Sequence, residues 1–357
     1  MDKYFIDSHK LYWHLDRVIE WREKGSVIPI YIEVSPVAYC NHQCLFCAID
    51  FAQEKAVQLD SAVFCKKIKE MGKLGVKSIM FAGEGEPLLH KDLPVMVKAA
   101  KDAGIDVSLT TNGATGTYEI WKEILPCLTW VRFSVDAGTS KIYAKVHNVT
   151  ENIFNKTINS IKEAVNVKKK YNLNTQIGIQ FVVIEENIDD LESAICLFRE
   201  LGVDYLSIKP YSLHPGMINK KEVIYNKEII QYIQKTVDAY KEKSEMDIIF
   251  RKDALESYAN QKITFSHCNA LPFWGYISSK GDFYTCSVFI GDERFKAGNI
   301  YKESMESIFS GKKRMNSIEF GKNELSINGE CRTNCRMARI NEFLEFLENK
   351  PMHINFI

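Results

Sequence analysis

Cys40-Asn41-His42-Gln43-Cys44-Leu45-Phe46-Cys47 follows closely on the strand-like run Ile30-Tyr31-Ile32-Glu33-Val34. Three thiolates on one short loop can hold three of the four irons of a cubane iron–sulfur cluster. The fourth iron is then left without a protein ligand, and an open iron can bind a small chelating molecule. Zinc and ordinary core cysteines are the alternatives. Zinc usually takes a fourth Cys or His close by, often in a second Cys-x-x-Cys pair. Free cysteines are also common in apolar cores.

Outward from this loop the chain alternates strand and helix from residue 30 to about 210. Strand-like runs recur at 30–34, 78–82, 107–110, 130–135, 177–183 and 205–208. Amphipathic stretches separate them at 59–74, 92–103, 117–125, 151–169 and 189–201, the first with Val63, Ile68, Met71 and Leu74 as its main apolar positions. Such an order predicts a parallel sheet built by right-handed crossovers. Six units rather than eight predict an open or partial barrel, with its chemistry at the carboxyl ends of the strands. The cysteine loop falls on that face.

Residues 1–29 read as an N-terminal helical cap and 216–261 as a connecting segment, with a helix around 225–243 and a strand at 247–250. A second cysteine-rich region occupies 262–340, and 341–357 is a closing helix and tail.

The 357 residues carry 46 basic and 46 acidic side chains, so no net field attracts nucleic acid or an anionic membrane. No apolar run is long enough to span a bilayer, and the first residues lack the apolar core of a signal peptide. Ten cysteines in a reducing compartment argue for metal over disulfides. Exposed clusters are oxygen-sensitive, so cytoplasm is the expected location.

The strand ends are polar. The second closes in Gly83-Glu84-Gly85-Glu86-Pro87, the third in Thr110-Thr111-Asn112-Gly113 and the fourth in Ser134-Val135-Asp136-Ala137-Gly138. Each alone reads equally as an ordinary turn. Together on the cysteine face they can meet a ligand: glycines permit close approach, a carboxylate suits an amine, and short polar groups suit hydroxyls.

The triplet and these three strand ends, in this order, resemble the radical S-adenosylmethionine (radical SAM) enzymes over about residues 30–215. The family's Gly-Gly-Glu-Pro appears as Glu84-Gly85-Glu86-Pro87, with Glu for the first Gly. The resemblance implies a [4Fe-4S] cluster on Cys40, Cys44 and Cys47, its open iron chelated by S-adenosylmethionine. By position, Phe46 would pack near the adenine, Gly85 and Glu86 would bind the amino group, and Ser134 and Asp136 would meet the ribose. Asn112 would supply a nearby polar contact, and the backbone at Val182 and Val183 would flank the adenine. The implied activity is cofactor cleavage to a 5′-deoxyadenosyl radical that takes hydrogen from an unactivated C–H, the cofactor breaking the bond and the protein positioning it. A reducing partner such as flavodoxin or ferredoxin goes with it.

Cys268, Cys286, Cys331 and Cys335 are separated by 17, 44 and 3 residues. Four thiolates suffice to close a cubane completely, and would also suit zinc. Trp274 to Thr285 reads as a β-hairpin turning at Lys280-Gly281-Asp282. This region resembles the Twitch form of the family's auxiliary-cluster domain, the shorter relative of the SPASM domain. The resemblance implies a second, fully ligated [4Fe-4S] cluster, able to accept an electron or to brace the fold. Cys65, Cys127 and Cys196 are expected in the core. The gaps come close to those of the family's aminocyclitol dehydrogenase.

Lys209 and Tyr211 end the sixth strand, and Arg251 follows the strand at 247–250. All three are candidate catalytic residues on the cavity side, with a solvated surface charge as the alternative for Lys209 and Arg251. His214 reads as a turn residue. The expected function is that of an oxidoreductase acting on a small polar metabolite such as a sugar or aminocyclitol. A peptide- or protein-modifying enzyme is the alternative, and a non-catalytic iron–sulfur or zinc protein the third.

Overall fold

The computed structural model describes residues 3–6, 8–241 and 245–356. Among the described residues, ten strands form one sheet in the order β10-β9-β8-β1-β2-β3-β4-β5-β6-β7. The first six are β1 (Tyr31–Val34), β2 (Ser78–Phe81), β3 (Asp106–Thr111), β4 (Trp130–Ser134), β5 (Gln176–Val183) and β6 (Tyr205–Pro210). All six pair in parallel in chain order, with helices on the crossovers, as the alternating pattern requires.

The partial barrel is therefore present, and its sheet is wider than six strands. β7 (Asp247–Phe250) adds in parallel beyond β6, so part of the expected connecting segment belongs to the barrel. At the other end β8 (Trp274–Ile277) pairs in parallel with β1, placing Tyr276 opposite Glu33. β9 (Asp282–Tyr284) and β10 (Lys296–Asn299) continue antiparallel from it. The second cysteine-rich region thus shares the barrel's sheet.

The strands alternate sharply. Ile32, Val34, Ile79, Phe81, Val107, Leu109, Val131, Phe133, Leu206 and Ile208 are fully buried in one core with the helices. Their neighbours Tyr31, Glu33, Met80, Arg132 and Lys209 face the other way and line a cavity. A strand buried on both faces usually reads as a continuous apolar run. Here the inner face carries Glu33, Arg132 and Lys209 among apolar and aromatic neighbours, so the barrel interior is a chamber with charged groups in its wall.

The helix Ser61–Leu74 shows how the outer layer is set. Asp60 caps it by accepting from the Val63 amide at 2.8 Å, and Gly75 ends it in the left-handed region at φ 95°. Phe64, Ile68 and Met71 are its buried residues, while Val63 and Leu74, expected among its main apolar positions, are half-buried. The helix expected around 225–243 is Lys227–Lys241; residues 242 and 243 lie outside the described residues, as do 1, 2 and 7 of the cap and 357 of the tail.

The cap contains the short turn Leu11–Trp13 and the helix Leu15–Lys24. Leu11, Val18 and Trp21 pack with Phe273 and Leu344, so the cap and the last helix, Ala338–Glu348, close over the base of β8. Arg314 pins this junction. Its buried guanidinium donates to Ser26 Oγ (3.0 Å) and to the carbonyls of Val27 (2.9 Å), Pro272 (2.7 Å) and Phe309 (2.8 Å). Among the described residues no helix is long and apolar enough to cross a membrane.

Candidate functional site

The cysteine loop leaves β1 and lies over the carboxyl ends of β2 to β4. Its fit against β2 requires a glycine. The Glu86 amide donates to the Tyr39 carbonyl at 3.0 Å, and a Cβ at Gly85 would stand 2.1 Å from that oxygen. Gly85 thus sits against the residue preceding Cys40, which is a packing reason for the motif glycine.

Cys40, Cys44 and Cys47 are half-buried. Burial pushes all three thiols up, Cys40 to about 12. Like charges nearby raise the cost further, since Glu86 and then Cys47 act on Cys40, and Cys40 and Cys47 act on Cys44. Among the described residues, no group of three His, Cys, Asp or Glu side chains stands as a single-ion site. Asn112 Nδ2 reaches Cys40 Sγ at 3.9 Å and Asn41 Oδ1 at 2.7 Å.

Cys44 has a partner that the motif reading passed over. Its Sγ lies 3.0 Å from His147 Nδ1. His147 Nε2 donates to the Val135 carbonyl at 2.8 Å, which leaves Nδ1 to accept from the thiol. Burial, and His42 after it, lower His147 to about 3, so the ring is neutral. His42 contacts Tyr143 OH at 3.0 Å and is lowered to about 4 by burial. His147 is a buried residue of the helix Ser140–His147, with no sequence signal beyond its own identity.

Glu86 is buried and its carboxylate is already engaged. Oε1 accepts from Thr111 Oγ1 (2.5 Å) and Leu88 N (2.9 Å), and Oε2 from Asn112 N (2.6 Å). It laces the end of β2 to the end of β3, and burial holds its carboxyl above the usual range. Glu84, the departure from the motif, faces the second region. It accepts from Tyr276 OH (3.2 Å), Ser279 N (3.2 Å) and Ser279 Oγ.

Asp136 sits at the end of β4 with φ 57°, a left-handed conformation that Asp tolerates better than most residues. Its Oδ1 accepts from Val182 N at 2.6 Å, while Oδ2 is buried without a hydrogen-bond partner, 3.7 Å from His147 Nε2. Burial raises its carboxyl to about 7. Ser134 Oγ accepts from Gln180 Nε2 at 3.4 Å. Phe46 stands edge-on to His147 at 5.5 Å. The Val183 carbonyl accepts from Tyr225 OH at 2.6 Å.

The structure turns Tyr211 away from the site. It is fully buried, its hydroxyl lies on Met217 Sδ at 3.3 Å, and its amide donates to Tyr225 OH at 2.7 Å. The expected catalytic role does not fit that placement. His214 is a turn residue as expected, its ring stacked on Phe51 and its Nδ1 accepting from Gly216 N at 3.0 Å.

Lys209 and Arg251 do line the barrel cavity, which has a volume of about 570 Å³. It runs from Ala48 and Ile49, next to Cys47, to Cys335 in the second cysteine set. Arg132, Arg332 and Arg336 share it; none of the three was picked out from the sequence. Arg132 and Glu33 did leave a signal, since each interrupts an apolar strand at an inward-facing position.

In the second set Cys286 is buried and Cys268, Cys331 and Cys335 are half-buried. Burial raises Cys268 to about 12 and pushes Cys286 up. Cys331 and Cys335 contact each other, and Cys335 ionises first, favoured by the Cys331 hydrogen bond and then by Arg332. Asn341 Nδ2 reaches Cys268 Sγ at 3.8 Å, and Met337 N donates to Cys335 Sγ at 3.4 Å. The donor sets fit iron–sulfur groups: three thiols on one loop suit a cubane with an open iron, and four suit a closed one. Cys65, Cys127 and Cys196 are half-buried on the helical layer.

Residues 34–198 match the model of the Radical SAM superfamily, and residues 268–336 match that of an iron–sulfur cluster-binding domain, SPASM. Among curated proteins, a probable GTP 3′,8-cyclase of Sulfurisphaera tokodaii is 28% identical over 217 residues, 60% of this chain and 66% of that protein. A tungsten-containing aldehyde ferredoxin oxidoreductase cofactor-modifying protein of Pyrococcus furiosus is 26% identical over 205 residues, 56% of each chain. The chain thus spans just over half to about two-thirds of these relatives' length. The crystal structure of Streptococcus suis SuiB bound to S-adenosylmethionine superposes with a TM-score of 0.68 at 17% identity, covering 95% of this chain and 79% of that one. That likeness is one of fold.

Proposed function

From the premise that this chain belongs to the radical SAM superfamily and carries a C-terminal SPASM iron–sulfur domain, we propose that it abstracts hydrogen from a small polar molecule held in the barrel cavity. The radical SAM domain implies a [4Fe-4S] cluster and S-adenosylmethionine, and the SPASM domain auxiliary iron–sulfur ligation. When bound, the first cluster and S-adenosylmethionine supply a 5′-deoxyadenosyl radical that takes hydrogen from a C–H bond.

In this reading Cys40, Cys44 and Cys47 hold the first cluster, and Cys268, Cys286, Cys331 and Cys335 the second. Asn112, Ser134, Asp136, Phe46 and the Val183 backbone bound the cofactor's place at the strand ends. Gly85 sets the height of the cysteine loop, and Glu86 fixes Asn112 rather than offering a free carboxylate. The unpartnered Asp136 Oδ2 is a buried acceptor at the end of β4. Lys209 and Arg251 face the substrate.

The cavity carries the proposal: one chamber, with Glu33, Arg132, Lys209, Arg251 and Arg332 in its wall, reaches from the residue after Cys47 to Cys335. Its walls suit a small polar molecule. The curated relatives are named for GTP cyclisation and cofactor modification, which favours a small polar substrate and gives no support to a sugar or aminocyclitol in particular. The test is deuterium transfer. Anaerobic reconstituted protein is given S-adenosylmethionine, reductant and deuterated cell extract, split into low-molecular-mass and peptide fractions. Label in 5′-deoxyadenosine from the first fraction is expected; label from the peptide fraction alone would reverse the choice of substrate class.

A further inference from the structure

Among the described residues, three acidic side chains line the barrel cavity, and each already has an arginine partner. Glu33 pairs with Arg336 at 2.5 Å, and Asp253 and Glu342 pair with Arg339 at 2.9 and 3.0 Å. Arg132, Lys209 and Arg332 line the same space, and among the described residues none of the three has a carboxylate ion-pair partner. Among the described residues, the Nε atoms of Arg132 and Arg332 are buried without a hydrogen-bond partner. The Asp136 carboxylate acts on Lys209 from the end of β4, but no ion pair joins them.

Like charges confined in one chamber are costly unless something of opposite sign enters it. Part of this charge has a local use, because Arg332 and Arg336 stand beside Cys335. Lys209 and Arg132 belong instead to the barrel wall, on β6 and β4. Their side chains point inward by the strand alternation, since Val131, Phe133 and Ile208 fill the opposite face. A guanidinium and an ammonium converging on one space are the usual recognition set for phosphoryl or carboxylate oxygens.

We propose that the barrel cavity binds an oxyanion group of the substrate through Lys209 and Arg132, with Arg251 and Arg332 beside them. The assignment deepens the proposed function and rests on it for the identity of the ligand as substrate. Lys209 is lowered to about 7 by burial and then by Arg132 and Arg251, so an incoming anion would restore its full charge.

The probes are pyrophosphate for a phosphoryl group and malonate for a carboxylate. Each is titrated calorimetrically into anaerobic, cluster-reconstituted protein loaded with S-adenosylmethionine. One of the two should bind the wild type. Lys209→Met and Arg132→Met should each weaken it by about tenfold or more, and Lys209→Arg should keep most of the affinity. The cluster absorption should be the same in all. If Lys209→Met does not fold, Arg132→Met and the salt dependence carry the test, since affinity for an anion should fall with added chloride. Binding of neither probe, binding unchanged in the variants, or binding indifferent to chloride would overturn the proposal. A protein that releases 5′-deoxyadenosine yet binds neither anion loses this inference alone; one that binds an anion but releases none loses the proposed function instead.

Discussion

Tyr276 on β8 donates its hydroxyl to Glu84 Oε1 at 3.2 Å, joining the second cysteine region to the end of β2. Ser279 adds its amide and hydroxyl to the other oxygen of the same carboxylate. The residue that departs from the family's motif is thus a clasp between the two halves of the chain. Burial holds its carboxyl above the usual range, and these hydrogen bonds oppose that shift.

Glu84→Ala should loosen this seam. Removing the acceptor leaves the Ser279 amide and two hydroxyls buried and unpaired, at about 1–3 kcal/mol. Hydrogen exchange should rise in residues 274–284 while the helix Ser61–Leu74 stays protected. Unchanged exchange in the hairpin would show that the clasp contributes nothing.

Gly85→Ala should displace the cysteine loop, because the new methyl would meet the Tyr39 carbonyl and backbone rather than a movable side chain. The expected result is folded protein with a reduced iron content after anaerobic reconstitution, measured against the wild type. Full iron content would remove the packing reason given for this glycine.

Arg314→Met should destabilise the junction of cap, β8 and last helix. Three carbonyls and Ser26 lose their donor at once, at about 1–3 kcal/mol for each acceptor left buried and unpaired. Burial lowers the guanidinium to about 10, so it stays charged at neutral pH. The urea midpoint measures the loss; a change below about 1 kcal/mol would contradict it.

Lys209 gives a pH signature. Its folded value is lowered to about 7, whereas in the unfolded chain it keeps its proton to about pH 10. Between these limits the unfolded state binds more protons, so its contribution to stability rises with pH. Without substrate, wild type should therefore gain stability relative to Lys209→Met from pH 7 upward. Anion affinity should move the opposite way, strongest below pH 7 and falling above it. Parallel curves for the two proteins would contradict both.

Much of this was legible in the sequence because the signals are local. Strand positions followed from apolar runs, and the hairpin before Cys286 from its Lys-Gly-Asp turn. Long-range pairing was not legible: nothing in Trp274-Gly275-Tyr276-Ile277 says that it will lie beside β1. The same limit hid His147, which reaches Cys44 across 103 positions, and the clasp on Glu84. Tyr211 was misjudged because a residue at a strand end can turn inward or outward, and only the Met217 and Tyr225 contacts decide it. Arg132 and Glu33 were visible as charges in apolar strands, but their meaning depends on the chamber that the inner face of the partial barrel lines.

The most direct measurement is release of 5′-deoxyadenosine from S-adenosylmethionine by anaerobically reconstituted, reduced protein. The expected result is release by the wild type and none by Cys40→Ala, Cys44→Ala or Cys47→Ala, each of which should still fold. No release by iron-loaded wild type, or equal release by the three variants, would contradict the assignment of these cysteines to an open cluster.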